Sequence, residues 1–443
     1  MKKRLTAFGV VAGMIFLAVL AADQVHGPGI WTGTPLPPGK VTPQFVCDSD
    51  SVVLPAPDGS LWAWGGAAGF NPYSLMNVFP SPASFEVPQR VGSDSDWSRV
   101  AGSMTHTVAL KRDGSLWAWG LNGVGQVGKG DFRTNYGTPI RIGTQTNWSQ
   151  ICAGINRSLA IKNDGSLWGW GYNNYGQLGD GTTNNRAVPT LIGVDRDWQM
   201  IAAGGFISYA IKSNGTLWCW GKGAFEEDWA PRQIAPDTNW VAISAHDFTM
   251  LALRADGTLW LKSGNAHIAA PAFVANPTDG LTQIGTDHDW AEIYPSINSF
   301  FVRKKDGSWW GCGSNPEDQF GLGTNVSELA SPQRLPFTFD PWAFGPEGET
   351  TLLLAKDGKL WTWGEPLGTV PPNAVRREIN SFLNPVVRRF PSLAFLMKSD
   401  FDIDRTPRLL WELPPEVRRS LQTGQGTAAN NVTTTHLVDA SDK

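Results

Sequence analysis

Asp58-Gly59-Ser60-Leu61-Trp62-Ala63-Trp64-Gly65 decides the fold, because near-identical strings begin again at Asp113, Asp164, Asn214, Asp256, Asp306 and Asp357. The spacing runs from 42 residues, Asn214 to Asp256, to 55, Asp58 to Asp113. A second marker lies upstream: Trp97, Trp148, Trp198, Trp240 and Trp290 each stand 16 residues before the Asp or Asn of their copy, and Trp342 stands 15 before Asp357. A third marker precedes that Trp, in Pro88-Gln89-Arg90-Val91-Gly92, Pro139-Ile140-Arg141-Ile142-Gly143, Pro189-Thr190-Leu191-Ile192-Gly193 and the weaker Pro231 to Ala235. Three markers in constant order at such a period indicate a stack or ring of one supersecondary unit.

Each unit reads as four strands. Trp97 to Ala101 and Thr107 to Lys111 are short apolar runs, Asp113-Gly114 supplies the tight turn, and Ser115 to Trp119 returns antiparallel. A Gly-rich loop, Gly120 to Gly137, leads to a Pro-started strand, Ile140 to Ile142, where the missing N–H suits an edge or first position. Ser115 to Trp119 is apolar on both faces, so both faces must be covered. Radial stacking of four-stranded sheets gives that cover and leaves only short edges. The sequence therefore predicts an all-β, seven-bladed propeller. All 22 tryptophans except Trp31, Trp229 and Trp411 fall at repeat positions. They are predicted to build the core, with Trp62, Trp117, Trp168, Trp218, Trp260, Trp310 and Trp361 one per blade.

Composition agrees. There are 49 Gly and 31 Pro in 443 residues, and charged residues make up 17%, against about 25% in an ordinary soluble domain. A helical bundle does not fit, and 11% aromatics argue against disorder. With a net charge of -4 and no long Lys/Arg run, nucleic acid is not an expected partner. Cys47, Cys152, Cys219 and Cys312 fall in four different blades, which predicts buried thiols rather than disulfides.

Strings such as Leu159-Ala160-Ile161-Lys162-Asn163-Asp164-Gly165-Ser166-Leu167-Trp168-Gly169-Trp170-Gly171, followed by Asn174-Tyr175-Gly176-Gln177-Leu178-Gly179-Asp180-Gly181-Thr182, resemble repeats of the regulator of chromosome condensation. The resemblance spans residues 41 to 378 and implies a seven-bladed propeller with a binding surface. The family's founding member is a nucleotide exchange factor for a small GTPase, and a secreted relative is similar to a β-lactamase inhibitor. The copies also depart from the pattern: the fifth reads Leu259-Trp260-Leu261-Lys262 without a second Trp, the sixth has Cys312 there, and the fourth has a short loop, Gly221 to Ala230. No exchange-factor residue of the family carries over to a numbered position in this chain.

The ends follow other rules. Lys2, Lys3 and Arg4 precede an uncharged stretch from Leu5 to Ala22, which reads as an export signal or an uncleaved anchor. Everything after about residue 23 is then expected outside the cytoplasm, in the periplasm, at the cell surface or secreted. The outer strand of the last blade is expected from Val370 to Glu378 or from Pro35 to Val41. The predicted division is a signal peptide or signal anchor over 1–22, a linker or closing strand over 23–40, the propeller over 41–378, a partly helical extension over 379–421 and a disordered tail over 422–443.

Apparent chemistry is sparse. Gly123-Val124-Gly125-Gln126-Val127-Gly128-Lys129 looks like part of a phosphate-binding loop, but no helix pattern follows and Gly130 stands where Ser or Thr should be. Asp400, Asp402 and Asp404 open like a calcium loop, yet Arg405 and Trp411 replace its Gly and Glu. The histidines form no HExxH or close pair, and His106 is predicted to be structural. No metal, cofactor or catalytic set is assigned, and Glu226, Glu227 and Asp228 have no partner in one dimension. Surface recognition remains. Phe70, Tyr73, Phe132, Tyr136, Tyr172, Phe225 and Trp229 lie on loops between third and fourth strands, where large aromatics serve as interface anchors. The expected function is a non-enzymatic, monomeric, exported propeller that binds a protein partner and meets a membrane only through an uncleaved N-terminal segment. Two alternatives are a guanine-nucleotide exchange factor-like regulator of a small GTPase, and a secreted enzyme inhibitor or a glycan-binding or glycan-cleaving envelope protein.

Overall fold

The computed structural model describes residues 46–47, 51–56, 59–65, 85–103, 105–222, 229–247, 249–263, 274–278, 280–322, 326–337, 341–347, 350–355, 359–364 and 408–412. They form seven antiparallel sheets, six of them built from strands in chain order. Blade 2 shows the pattern, with strands Trp97–Ser103, His106–Lys111, Leu116–Gly120 and Tyr136–Arg141. The fourth strand therefore starts earlier than Ile140, because Tyr136 already pairs with Gly120. First strands of neighbouring blades touch around the whole ring, including Val46–Cys47 of blade 1 against Pro341–Glu347 of blade 7. The first strands are thus innermost. Turns between strands one and two share a face with the loops between strands three and four, here the loop face. The Asp-Gly turns and the linkers between blades lie on the opposite turn face.

The repeat string explains the hairpin. In blade 2, Gly114 takes a φ of 76° that lets the chain reverse. Asp113 Oδ1 accepts the Ser115 N–H at 2.9 Å, and Ser115 Oγ accepts the indole N–H of Trp117 at 2.9 Å. The same hydroxyl-to-indole bond recurs at Trp62, Trp168, Trp218, Trp260 and Trp310. One Asp, one Gly and one Ser or Thr thus orient the turn and the first Trp after it.

Core clusters lie between blades. Leu116, Ala118 and Val127 of blade 2 pack against Trp148, Ile151 and Trp170 of blade 3, and equivalent clusters join the blades that follow. The core tryptophans divide into two kinds. Trp119, Trp170 and Trp220 are fully buried, whereas Trp117, Trp168, Trp218, Trp310 and Trp361 are half-buried, and Trp62 and Trp260 are buried. The half-buried ring in blades 2, 3, 4 and 6 is covered by a lysine, which packs its stem and cation on the indole.

Two details correct the sequence reading. The outer strand of blade 7 is Arg408–Glu412, in place of 370–378 or 35–41. Trp411, unexplained by the repeats, sits opposite Leu360 in that strand. Blade 5 carries a fifth strand, Val274–Thr278, outside Leu281–Ile284. Cys152, Cys219 and Cys312 are buried thiols outside any disulfide, as predicted. The export segment over 1–22, the acidic run Asp400 to Asp404 and the C-terminal tail lie outside the described residues.

Candidate interaction face

The Gly-rich loops are clamps between blades. In the loop of blade 2, the N–H groups of Val124, Gly125, Val127 and Gly128 bond to Gln126 Oε1, Asn122 O, Asn122 Oδ1 and Gly125 O. These are the amides that a phosphate would need, so the loop is not a phosphate cradle. Instead the Gln126 carbonyl accepts the Ser158 hydroxyl of blade 3 at 2.9 Å. Gln177 takes Ser208 of blade 4 in the same way, and Gln319 takes Thr351 of blade 7.

A second staple uses the first residue of the second strand. His106 is fully buried, and its Nε2 lies 2.7 Å from Ser158 Oγ. Because Ser158 donates to Gln126, it accepts from His106, which places the proton on Nε2. Burial, with help from Arg157, holds the imidazole down at about 3, so it is neutral near pH 7. Arg157 is the blade 3 counterpart. Its guanidinium bonds the carbonyls of Gly204, Gly205 and Ile207 and the hydroxyl of Ser208. In blade 6, the buried Glu292 pairs with Arg303 at 3.2 Å and accepts the Tyr294 hydroxyl. These buried titratable groups are engaged in packing. Among the described residues no three His, Cys, Asp or Glu side chains could hold a metal ion.

On the loop face the predicted anchors separate. Phe132 and Trp229 are 44% and 40% exposed. Tyr172 is half-buried. Tyr136 belongs to the fold instead, because it packs between core clusters and donates its hydroxyl to Asp131 at 2.6 Å. That bond and the N–H groups of Thr134 and Arg133 hold the Asp131 carboxyl down to about 2. Phe70, Tyr73 and Phe225 lie outside the described residues.

The structure adds three residues that the sequence reading passed over. Tyr175, 37% exposed, meets Phe206 at 5.3 Å between ring centroids and Tyr172 at 6.1 Å. The ammonium of Lys222 lies 4.5 Å from the Tyr175 centroid. Trp229 lies over Gly176, where an added Cβ would come within 2.4 Å of its Cδ1, and its carbonyl accepts the Gly181 N–H at 3.1 Å. Tyr172, Tyr175, Phe206, Lys222 and Trp229 thus form one patch across blades 3 and 4. Tyr175 was hidden inside the Gly-Gln-Leu-Gly repeat string, and Phe206 sits in a turn between strands one and two. The signal for Phe206 was a large apolar residue after Gly204-Gly205, at a position that only the fifth copy also fills with an aromatic, Phe248.

With this geometry established, comparison with known proteins is specific. The regulator of chromosome condensation (RCC1) repeat matches residues 164–211, and a second description of that repeat matches 100–126, 148–177 and 201–226. The chain is similar to the ultraviolet-B receptor UVR8 of Arabidopsis thaliana, 33% identical over 128 residues, 28% of each chain. It is also similar to the mitochondrial RCC1 domain-containing protein RUG3 of the same plant, 33% identical over 137 residues, 29% of this chain and 30% of that one. These matches span less than a third of each relative's length. Among solved structures, human WBSCR16 superimposes with a TM-score of 0.60 at 16% identity, covering 72% of this chain and 88% of that one. Yeast RCC1 (Prp20), solved with Kap60, gives 0.58 at 16% identity, covering 74% and 80%. The described strands form a seven-bladed propeller in which residues 100–126 and 148–226 match the RCC1 repeat.

Proposed function

We propose that this propeller works outside the cytoplasm as a non-enzymatic binding protein and holds a protein partner on the loop face of blades 3 and 4. The observation that carries the reading is the patch of Tyr172, Tyr175, Phe206 and Trp229 beside Lys222. Tyr175 and Trp229 keep more than a third of their surface in water, and aromatic side chains grouped around one cation offer large contact area at small entropic cost. Yeast RCC1, of the same fold, was solved bound to Kap60. The location rests on Lys2, Lys3 and Arg4 ahead of the uncharged stretch 5–22.

The test places a photo-crosslinking amino acid at Tyr175 in the full chain, within expressing cells. A discrete adduct is expected, and Trp229→Ala should remove it while leaving stability within about 1 kcal/mol, since a half-exposed surface residue contributes little to folding. No adduct, or an adduct indifferent to Trp229→Ala, would refute the assignment.

A further inference from the structure

On the turn face, the second strands of blades 2 to 6 end in Lys111, Lys162, Lys212, Arg254 and Lys304. Each cation packs on two indoles, one from the first strand and one from the third. In four blades an aspartate three residues before the first-strand Trp closes this cage. Asp94 meets Lys111 at 2.7 Å, Asp195 meets Lys212 at 2.6 Å, Asp287 meets Lys304 at 2.7 Å, and Asp237 pairs with Arg254. Blades 2, 4 and 6 add a second aspartate directly before the Trp, at 3.0, 3.2 and 3.0 Å.

Blade 3 breaks the rule. Gln145 and Asn147 occupy the two aspartate positions. Lys162 keeps its cage, 3.6 Å from the Trp168 centroid and 4.6 Å from Trp148, and is 5% exposed. No carboxylate among the described residues forms an ion pair with it. Asp164 is close in sequence, but its Oδ1 accepts the Ser166 N–H and hydroxyl and its Oδ2 faces Arg196 at 3.8 Å. Burial therefore holds the Lys162 ammonium below its ordinary value. Lys111 and Lys304 feel the same burial but are raised overall by their aspartates.

We infer that Lys162 is the docking point for an Asp or Glu side chain of a protein partner, which takes the place that Asp94, Asp195, Asp237 and Asp287 fill in the other blades. The repeat itself shows that this cage accepts a carboxylate. Gln145 and Asn147 are exposed and carry amide donors where the other blades carry negative charge. Arg196 adds a second cation, and Val194 on the same linker is 84% exposed, giving an apolar contact beside the charge. Blades 2, 4, 5 and 6 supply their own acids, which repel an acidic partner and direct it to blade 3. This site lies on the face opposite the aromatic patch and stands independently of that patch's role.

The test measures fluorescence anisotropy of a labelled hexaglutamate peptide with the full chain. The unmodified chain is expected to bind it, more weakly as salt rises. Gln145→Asp with Asn147→Asp fills the slot from within and should weaken binding about tenfold. Ser93→Asp with Ser95→Asp adds the same charge on blade 2 and should leave binding within about twofold, because exposed charges beyond a Debye length are screened. Absence of binding, or equal loss in the two double variants, would overturn the inference. Neither variant touches the core, so both report on folded protein.

Discussion

Gly179 and Gly181 make a matched pair for testing whether the Gly-rich loops clamp one blade to the next. Both have positive φ, 83° and 74°. An Ala at either position incurs the left-handed backbone cost of roughly 1–2 kcal/mol. Their surroundings differ. A Cβ on Gly179 would lie 2.7 Å from Nε1 and 2.8 Å from Cδ1 of Trp220, a fully buried ring of the next blade, whereas a Cβ on Gly181 would meet nothing within 4 Å. Forcing a methyl into a packed site adds about 1–3 kcal/mol. Gly179→Ala should therefore cost roughly 2–5 kcal/mol and Gly181→Ala roughly 1–2. Urea unfolding of the full chain, followed by tryptophan fluorescence with slopes checked for equality, measures the difference. Equal losses would show that the loop does not press on the neighbouring blade, and the clamp would have to be abandoned.

Further outcomes follow from the buried staples. Arg157→Met removes the donor to the carbonyls of Gly204 and Gly205 and should cost about 2–4 kcal/mol in urea unfolding, as buried acceptors left without partners do; a loss below 1 kcal/mol would rule out the staple. His106 has an ordinary value of 6.5 but about 3 when folded, so the unfolded chain binds the proton first as pH falls. Its contribution is full above 6.5 and is lost toward 3, at up to about 1.4 kcal/mol per pH unit. The urea midpoint of the unmodified chain should fall more steeply between pH 6.5 and 4 than that of His106→Gln, and parallel curves would contradict the assignment.

The ring was legible because its determinants are local and repeated. Asp, Gly, Ser and Trp of one hairpin act within a few residues of each other, and six further copies average out any single departure. The fourth strand of blade 7 was not legible, because Arg408–Glu412 lies far from Lys359–Gly364 in sequence and carries no Pro-led marker. The aromatic patch was half legible. Trp229 stood out by lying outside the repeat, and Tyr172 by its place after the third strand. Tyr136 looked the same in one dimension, yet its hydroxyl reaches Asp131 and its ring enters the core. Phe206 joins Tyr175 across a blade boundary, and such a contact has no sequence signature until the ring is built. The missing acids beside Lys162 were in the sequence all along, but the cage that gives their absence meaning exists only in three dimensions.

The most direct measurement is the side of the membrane on which the ring lies, read by fractionating expressing cells, testing protease access to the propeller and recording the intact mass. An exported binding propeller predicts a protease-accessible ring, either cleaved near Ala21 or Ala22 or still held by residues 5–22. A protease-protected cytosolic chain that retains Met1 would contradict it and make nucleotide exchange on a small GTPase the next assay.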